Sequence, residues 1–292
     1  MSLADAVGLP RARTRRVGIT RARLLRRPVA VASLAVVVLF VLMAAAGPWI
    51  TPYDPNATNF NLLFAHSSWS HPLGTDELGR DVLSRVMVAA RASMLVGVLA
   101  TALSLLVGVP AGIIAGYRGG WLDSLVMRTS DVKLAFPPLI IAVGLAAILG
   151  PSLLNCTLAL GIAGIAHFMR VARGETLALR EQDFVKAATV SGAGSATVVF
   201  RHILPNMAGV LLVMATVHIP VAILGEASLS FLGLGVRPPT ASWGVMLSEG
   251  QAFFGMAPRL ALIPGIVVMI VALAFNLLGD ALRDVFDPKT VR

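Results

Sequence analysis

An all-α integral membrane protein with about six transmembrane helices is the fold class that this sequence predicts. Three observations predict it. Only 13% of the 292 residues are charged and 57% are hydrophobic, whereas a soluble domain carries roughly 25% charged residues. Mean hydropathy is +0.81. The charge deficit is also concentrated: Pro28–Tyr53, Ala92–Tyr117, Leu134–Met169, Ile203–Gly225 and Leu260–Gly279 contain no Asp, Glu, Lys or Arg, and about 20 apolar residues suffice to cross a bilayer. A soluble core of this size cannot hide five such stretches.

The chain divides accordingly. Residues 1–27 form a basic tail, and 28–53 a first transmembrane helix. Its apolar run, Val29 to Ala46, exceeds the length of a cleaved signal, so an uncleaved helix is expected despite Ala44-Ala45-Ala46. Residues 54–91 form an extracytoplasmic segment rich in turn formers, such as Thr51-Pro52-Tyr53-Asp54-Pro55-Asn56. Residues 92–283 hold the remaining spans, with a cytoplasmic loop at 174–205 and a second extracytoplasmic segment at 227–258; residues 284–292 form a tail. Leu134–Met169 is too long for one helix, and Gly150-Pro151-Ser152 is expected to divide it into two spans. The short apolar piece Ser228–Gly235 is expected to be re-entrant or interfacial.

Charge orients this arrangement. With both termini cytoplasmic, nineteen Lys and Arg fall on the cytoplasmic side; five, Arg80, Arg85, Arg91, Arg237 and Arg259, fall opposite. That asymmetry obeys the positive-inside rule. The net charge of +9 therefore flanks membrane spans and forms no aromatic-interleaved patch for nucleic acid. The single cysteine, Cys156, excludes an intrachain disulfide and a multi-cysteine metal site. Five scattered histidines make no metal site expected.

The cytoplasmic loop is the most informative region. It reads Glu181-Gln182-Asp183-Phe184-Val185-Lys186-Ala187-Ala188-Thr189-Val190-Ser191-Gly192, and ten residues later His202-Ile203-Leu204-Pro205-Asn206. Asp183 is placed to cap a helix starting at Phe184. Phe184, Ala187, Ala188 and Ser191 then share one face, whose small residues admit a close partner. Gly192 is placed to end the helix in a left-handed conformation, and Pro205 suits the first turn of the next span. The alternative reading is an amphipathic helix resting on lipid headgroups.

This stretch resembles the "EAA" loop of ABC importer permeases. Lys186-Ala187-Ala188, Gly192, His202, Leu204 and Pro205 fall on its spacing, with Lys186 in place of the glutamate. His71-Pro72-Leu73-Gly74-Thr75-Asp76-Glu77-Leu78-Gly79-Arg80-Asp81, Ala115-Gly116-Tyr117-Arg118-Gly119-Gly120-Trp121-Leu122-Asp123, Ala135-Phe136-Pro137-Pro138, Glu226–Gly235 and Asn276-Leu277-Leu278-Gly279-Asp280 resemble the C-type permease of the dipeptide/oligopeptide/nickel family. The resemblance covers about residues 28–288. It implies a type I ABC importer permease fold in the bacterial cytoplasmic (inner) membrane. Residues Asp183, Phe184, Lys186, Ala187, Ala188, Gly192, His202, Leu204 and Pro205 would then dock a separate ATPase subunit. It implies as partners a second homologous permease, one or two P-loop ATPase subunits and an extracytoplasmic binding protein, besides membrane lipid. The implied cargo is a dipeptide or oligopeptide; nickel, glutathione or haem are the alternatives within the family.

The chain is not expected to be an enzyme. A P-loop needs a lysine after glycine, and none of Lys133, Lys186 and Lys289 follows one. No cofactor is expected on the chain itself; ATP and magnesium would sit on the partner ATPases. His167, His218, Glu226, Asn276 and Asp280 are polar residues within or near spans, and such residues usually face the protein interior. His218, Glu226 and Asn276 are the candidates for the pathway or for bonds between helices; a lone membrane histidine more often bonds another helix than a ligand. Pro110, Pro220 and Pro264 mark kinks or hinges. An ion-coupled secondary transporter would show paired charges or broken half-helices at the midplane, and no inverted repeat or central carboxylate pair is evident.

Overall fold

The computed structural model describes residues 27–286. The rest of the basic tail, residues 1–26, and the end of the C-terminal tail with Lys289 and Arg292 lie outside the described residues. Nine principal helices follow in order: α1 (Pro28–Ile50), α2 (Val82–Arg118), α3 (Gly120–Leu134), α4 (Pro138–Leu149), α5 (Leu153–Arg180), α6 (Asp183–Val190), α7 (Leu204–Phe231), α8 (Trp243–Gln251) and α9 (Arg259–Phe286). Among the described residues there is no strand, only an isolated bridge between Thr75 and Asp81.

Five helical runs are long and apolar enough to cross a membrane: α1, α2, α5, the run Ser195–Phe231 that contains α7, and α9. The sixth crossing differs from expectation. The division at Gly150 does not separate two straight spans, because α4 has only twelve residues, about 18 Å of helix against a core of about 30 Å. The candidate for this crossing is instead the pair α3 and α4, bent by 86° at a break between them, which returns the chain across the membrane between the parallel helices α2 and α5. Pro137 and Pro138 cause the break: a residue before proline is driven out of the helical region, and Pro137 is extended at ψ 132°. Arg128 and Lys133 lie on helix α3, and Arg118 ends α2. Likewise Ser228–Phe231 is no separate re-entrant piece but the last turn of α7, closed at Gly233 with φ +73°.

The helices pack where side chains vanish. Helix α2 runs parallel to α5, and Gly108, Gly112 and Gly116 face it one turn apart. A Cβ at these positions would meet the carbonyl oxygens of Ile165, Met169 and Arg173 at 2.6, 2.3 and 2.9 Å. Small residues four apart let two backbones touch in this way within membranes. Helices α7 and α9 run antiparallel, Gly279 against Val217 and Gly209 against Phe286. Helix α1 lies outside; Leu39, Leu42 and Val38 are exposed, as side chains facing lipid are. Arg27 at its start pairs with Asp284 near the end of α9, so the first and last spans begin and end on the same face.

On the face opposite that ion pair, residues 51–81 fold down onto α8 and α9. Asp81 caps α2 by accepting from the Ser84 amide at 2.8 Å and bonds His71 at 2.9 Å. Arg80 reaches Asp76 and Glu77, each at 2.6 Å, while Arg85 reaches Glu249 of α8 at 2.7 Å. Arg259 ties the segment to α9 by donating to the carbonyls of Phe64 and Ala65 at 2.9 Å. Desolvation pushes the Glu249 carboxyl above its ordinary range, against the pull of Arg85 and Arg80. Arg85→Met leaves that carboxylate only the longer pairing with Arg80, at 3.4 Å, and losing one charge-assisted bond at this partly buried group costs about 1.5–3 kcal/mol. A raised carboxyl pKa means the folded state holds the proton more tightly. The deficit of Arg85→Met is therefore expected to be full above the folded pKa of Glu249 and to shrink as pH falls through it. Thermal unfolding of the variant at several pH values measures this; a deficit that grows on acidification contradicts the assignment.

Candidate functional site

The first part of the site is helix α6, held at the end of α5. Its N-cap is Gln182 rather than Asp183. Asp183 is the first helical residue, where a carboxylate still suits the positive end of the helix. At the other end Gly192 adopts φ +83°. The Gly192 amide donates to Thr189 O and the Ala193 amide to Ala188 O, both at 3.0 Å, the bonding pattern of a left-handed helix stop. Only Val185 is buried, 2% exposed, and it enters a cluster with Val198, Ile203 and Met207. Phe184, Ala187 and Ser191 face outward, Ala188 is half-buried, and nothing lies within 4 Å of a Cβ built at Gly192. Lys186 does not reach the body of the protein; it pairs with Glu181 at 3.2 Å and holds that carboxyl below its ordinary range.

Pro205 falls in the first turn of α7, as the sequence suggests, but α7 continues a longer helical run. A helical turn, Ser195–Thr197, and a wide π segment, Val198–Ile203, run straight into α7. The π segment explains how proline is accommodated. Proline cannot donate to the carbonyl four residues back and its ring crowds it, and the wider turn shifts the bonding, with the Leu204 amide reaching Val199 O. Asn206 donates its side-chain amide to His202 O at 2.5 Å. His202 itself is half-buried with its ring 6.4 Å from that of Phe184, and Leu204 packs against the same cluster as Val185. All nine residues thus lie on α6, on the turn that stops it, or on the π segment and first turn of α7 behind it.

The second part is a groove of about 800 Å³. Leu160, Gly164, His167, Val171 and Glu175 line one wall along a single face of α5; Gly209, Val213, Val217, Val221 and Gly225 line the other along α7. Sixteen residues of α7 amount to about 24 Å, most of the membrane's apolar thickness. Pro138 and Leu139, at the break in the bent crossing, line a further side, and Arg283 and Phe286 of α9 stand at the α6 end. The lining is mainly apolar, and its ionisable groups are His167, His218, Glu175 and Arg283.

The three polar candidates separate here. His218 lines the groove and also bonds Thr101 of α2 at 3.1 Å. Glu226 is fully buried and does not line the groove. It accepts from Ser93, Ser230 and Ser242 at 3.2, 2.8 and 2.7 Å, joining α2, α7 and the cap of α8. Its place is structural: a buried carboxylate needs such a full set of donors. Asn276 is exposed on α9, away from the groove. Glu175 and Arg283 were missed because they fall near the ends of spans, where charge is ordinary; the spacing of Glu175 eight residues after His167, on one helical face, is the signal that finds Glu175, while only the fold brings Arg283 to the groove. Among the described residues no cluster of His, Cys, Asp or Glu is arranged to hold a metal.

Five apolar spans and one bent pair, with a lengthwise groove between α5 and α7 and a short outward-facing helix at one mouth, have the architecture of a membrane transport permease. Residues 108–292 match the family described as "Binding-protein-dependent transport system inner membrane component", and residues 17–66 match the "N-terminal TM domain of oligopeptide transport permease C". The chain belongs to this family of ABC importer permeases and is a multi-pass inner-membrane protein. It is 40% identical to a glutathione transport system permease protein of Pectobacterium atrosepticum, over 91% of this chain and 89% of that protein. It is 40% identical to a dipeptide transport system permease protein of Alkalihalophilus pseudofirmus, over 91% and 88%. To a glutathione transport system permease protein of Escherichia coli it is 42% identical, over 91% and 88%.

Proposed function

We propose that this chain forms half of the pathway by which an ABC importer moves short peptides, and that α6 couples it to the ATPase. The carrying observation is the pairing of a groove running most of the way across the membrane with a detached, outward-facing helix at one end of the same two spans. Helices α5 and α7 flank α6 in sequence and also form the groove walls, so a push on α6 reaches both walls. Val185 anchors α6 while Phe184, Ala187 and Ser191 stay free for a partner subunit. The groove is open along its length, which a second, homologous permease would close. This orientation puts α6, the start of α1 and the end of α9 in the cytoplasm, as the distribution of Lys and Arg also favours. Residues 51–81 and α8 then face an extracytoplasmic binding protein, and ATP with magnesium belongs to the ATPase subunits. The names of the relatives favour peptides, glutathione included. Purification of the tagged chain from detergent-solubilised membranes is expected to recover a P-loop ATPase and a second permease, and the reconstituted complex to take up labelled dipeptide or glutathione only with ATP. Recovery of this chain alone, with no ATPase activity and stable self-association, would favour an ion-coupled transporter.

A further inference from the structure

We infer that Glu175 and Arg283 form a binding site for the two charged termini of a short peptide, at the α6 end of the groove. This rests on the peptide reading above and deepens it. The two side chains stand on different walls of one cavity, Glu175 on α5 and Arg283 on α9. Every other charge on α5 is engaged. Arg173 makes two bonds to Asp123, at 2.5 and 2.6 Å; Arg170 pairs with Asp131; Arg180 lies 3.6 Å from Glu181. Glu175 and Arg283, among the described residues, make no such pair with each other or with a neighbour. Both stand near the ends of their spans, Glu175 half-buried and Arg283 exposed, and they are charges of opposite sign in an otherwise apolar cleft.

A short peptide is the solute that matches them. It carries one ammonium and one carboxylate, separated by about 7 Å in an extended dipeptide, with apolar or weakly polar groups between. The Glu175 carboxylate accepts from the ammonium, and the Arg283 guanidinium holds the carboxylate with two parallel donors. A cavity of about 800 Å³ accommodates a dipeptide or glutathione, both of which carry this pair of groups. A bare divalent cation is drawn to Glu175 but repelled by Arg283, and no three-ligand cluster of His, Cys, Asp or Glu is present among the described residues. Placed at the cytoplasmic mouth, the site receives the peptide after it has passed His218 and His167, before release.

The test uses the complete transporter with its binding protein in proteoliposomes, with labelled Ala-Ala, N-acetyl-Ala-Ala and glutathione as probes. Glu175→Gln is expected to lower ATP-driven uptake of Ala-Ala about tenfold, the usual scale of one lost charge-assisted bond. It should leave the lower uptake of the N-acetyl peptide unchanged, because that peptide has no ammonium to lose. Glu175→Asp is expected to recover most of the loss, and Arg283→Met to reproduce it for both free peptides. Two results would overturn the site. One is Ala-Ala uptake at the wild-type rate in both neutral variants. The other is loss of the second permease from the purified variant complexes, which would assign both charges to the subunit interface. A wild-type complex that moves neither Ala-Ala nor glutathione overturns the peptide reading itself, and this site with it.

Discussion

Gly192→Val is expected to reduce ATP-driven uptake by at least about tenfold while the protein still inserts and assembles. The backbone at Gly192 has φ +83°, a conformation that costs an L-residue roughly 1–2 kcal/mol and a β-branched residue more, since its side chain crowds the flanking peptide groups. The cost is confined to the backbone, because a Cβ there meets nothing within 4 Å. It falls on the two bonds that stop α6, those from the Gly192 and Ala193 amides. If α6 relaxes that strain by unwinding its last turn, Ser191, Ala188 and Ala187 leave the face that the partner needs. A tenfold effect corresponds to about 1.4 kcal/mol, so strain of this size is sufficient. Gly192→Asn is the control, because asparagine enters the left-handed region more readily and should keep most of the uptake. Purified complex of normal composition, with uptake lost in the valine variant and largely kept in the asparagine variant, supports the coupling role. Normal uptake with valine contradicts it.

How far the sequence reveals this molecule depends on which physical signal each element carries. The five charge-free runs were legible because lipid tolerates nothing else, and helices α1, α2, α5, α7 and α9 lie over them. The bent crossing was not. Helix α3 carries Asp123, Arg128, Asp131 and Lys133, so it fails any test for a charge-free run. Its acids are admissible because Arg173 and Arg170 of α5 meet them, and that pairing is a tertiary fact. Pro137-Pro138 bends the chain because the residue before a proline leaves the helical region, whereas Gly150, equally conspicuous in the sequence, only ends α4. Helix α6 was legible almost to its last residue because capping is local: Gly192 takes the left-handed position and the helix begins within one residue of the expected start. Which face of α6 is buried was less so. The apolar spacing singled out Phe184, Ala187, Ala188 and Ser191, yet Val185 alone is the anchor, since burial follows where the π segment lies. Glu226 shows the same limit: a carboxylate near the end of a span reads as a candidate for the pathway, and only Ser93 and Ser242, distant in sequence, reveal it as a joint.

The most damaging small change is expected on a residue that touches no ligand, Gly112. A Cβ at Gly112 would lie 2.3 Å from the Met169 carbonyl oxygen and 2.9 Å from both Ala172 Cβ and the Arg173 amide nitrogen. The first distance is about 1 Å short of an ordinary van der Waals separation. The obstacle is backbone, so no rotamer change relieves it, and α2 and α5 must part. Their seam also includes Gly108 and Gly116, so separation at Gly112 loosens contacts a turn away on each side. Overpacking of this kind typically costs about 1–3 kcal/mol, and here even alanine is expected to reach the upper end. Gly174→Ala, on α5, supplies the contrast: nothing lies within 4 Å of its Cβ, and alanine in a helix interior is favoured over glycine by about 1 kcal/mol. Thermal unfolding of the detergent-solubilised complex, followed at this chain, should show Gly112→Ala well below the wild type and Gly174→Ala at or above it. The consequence for transport follows from the same seam, because α5 carries one wall of the groove and leads directly into α6. If α5 is seated on α2 by backbone contact, a motion of α6 is transmitted to the wall as a rigid displacement; if Gly112→Ala left both stability and uptake intact, α5 would have to move against α2 during the cycle rather than with it.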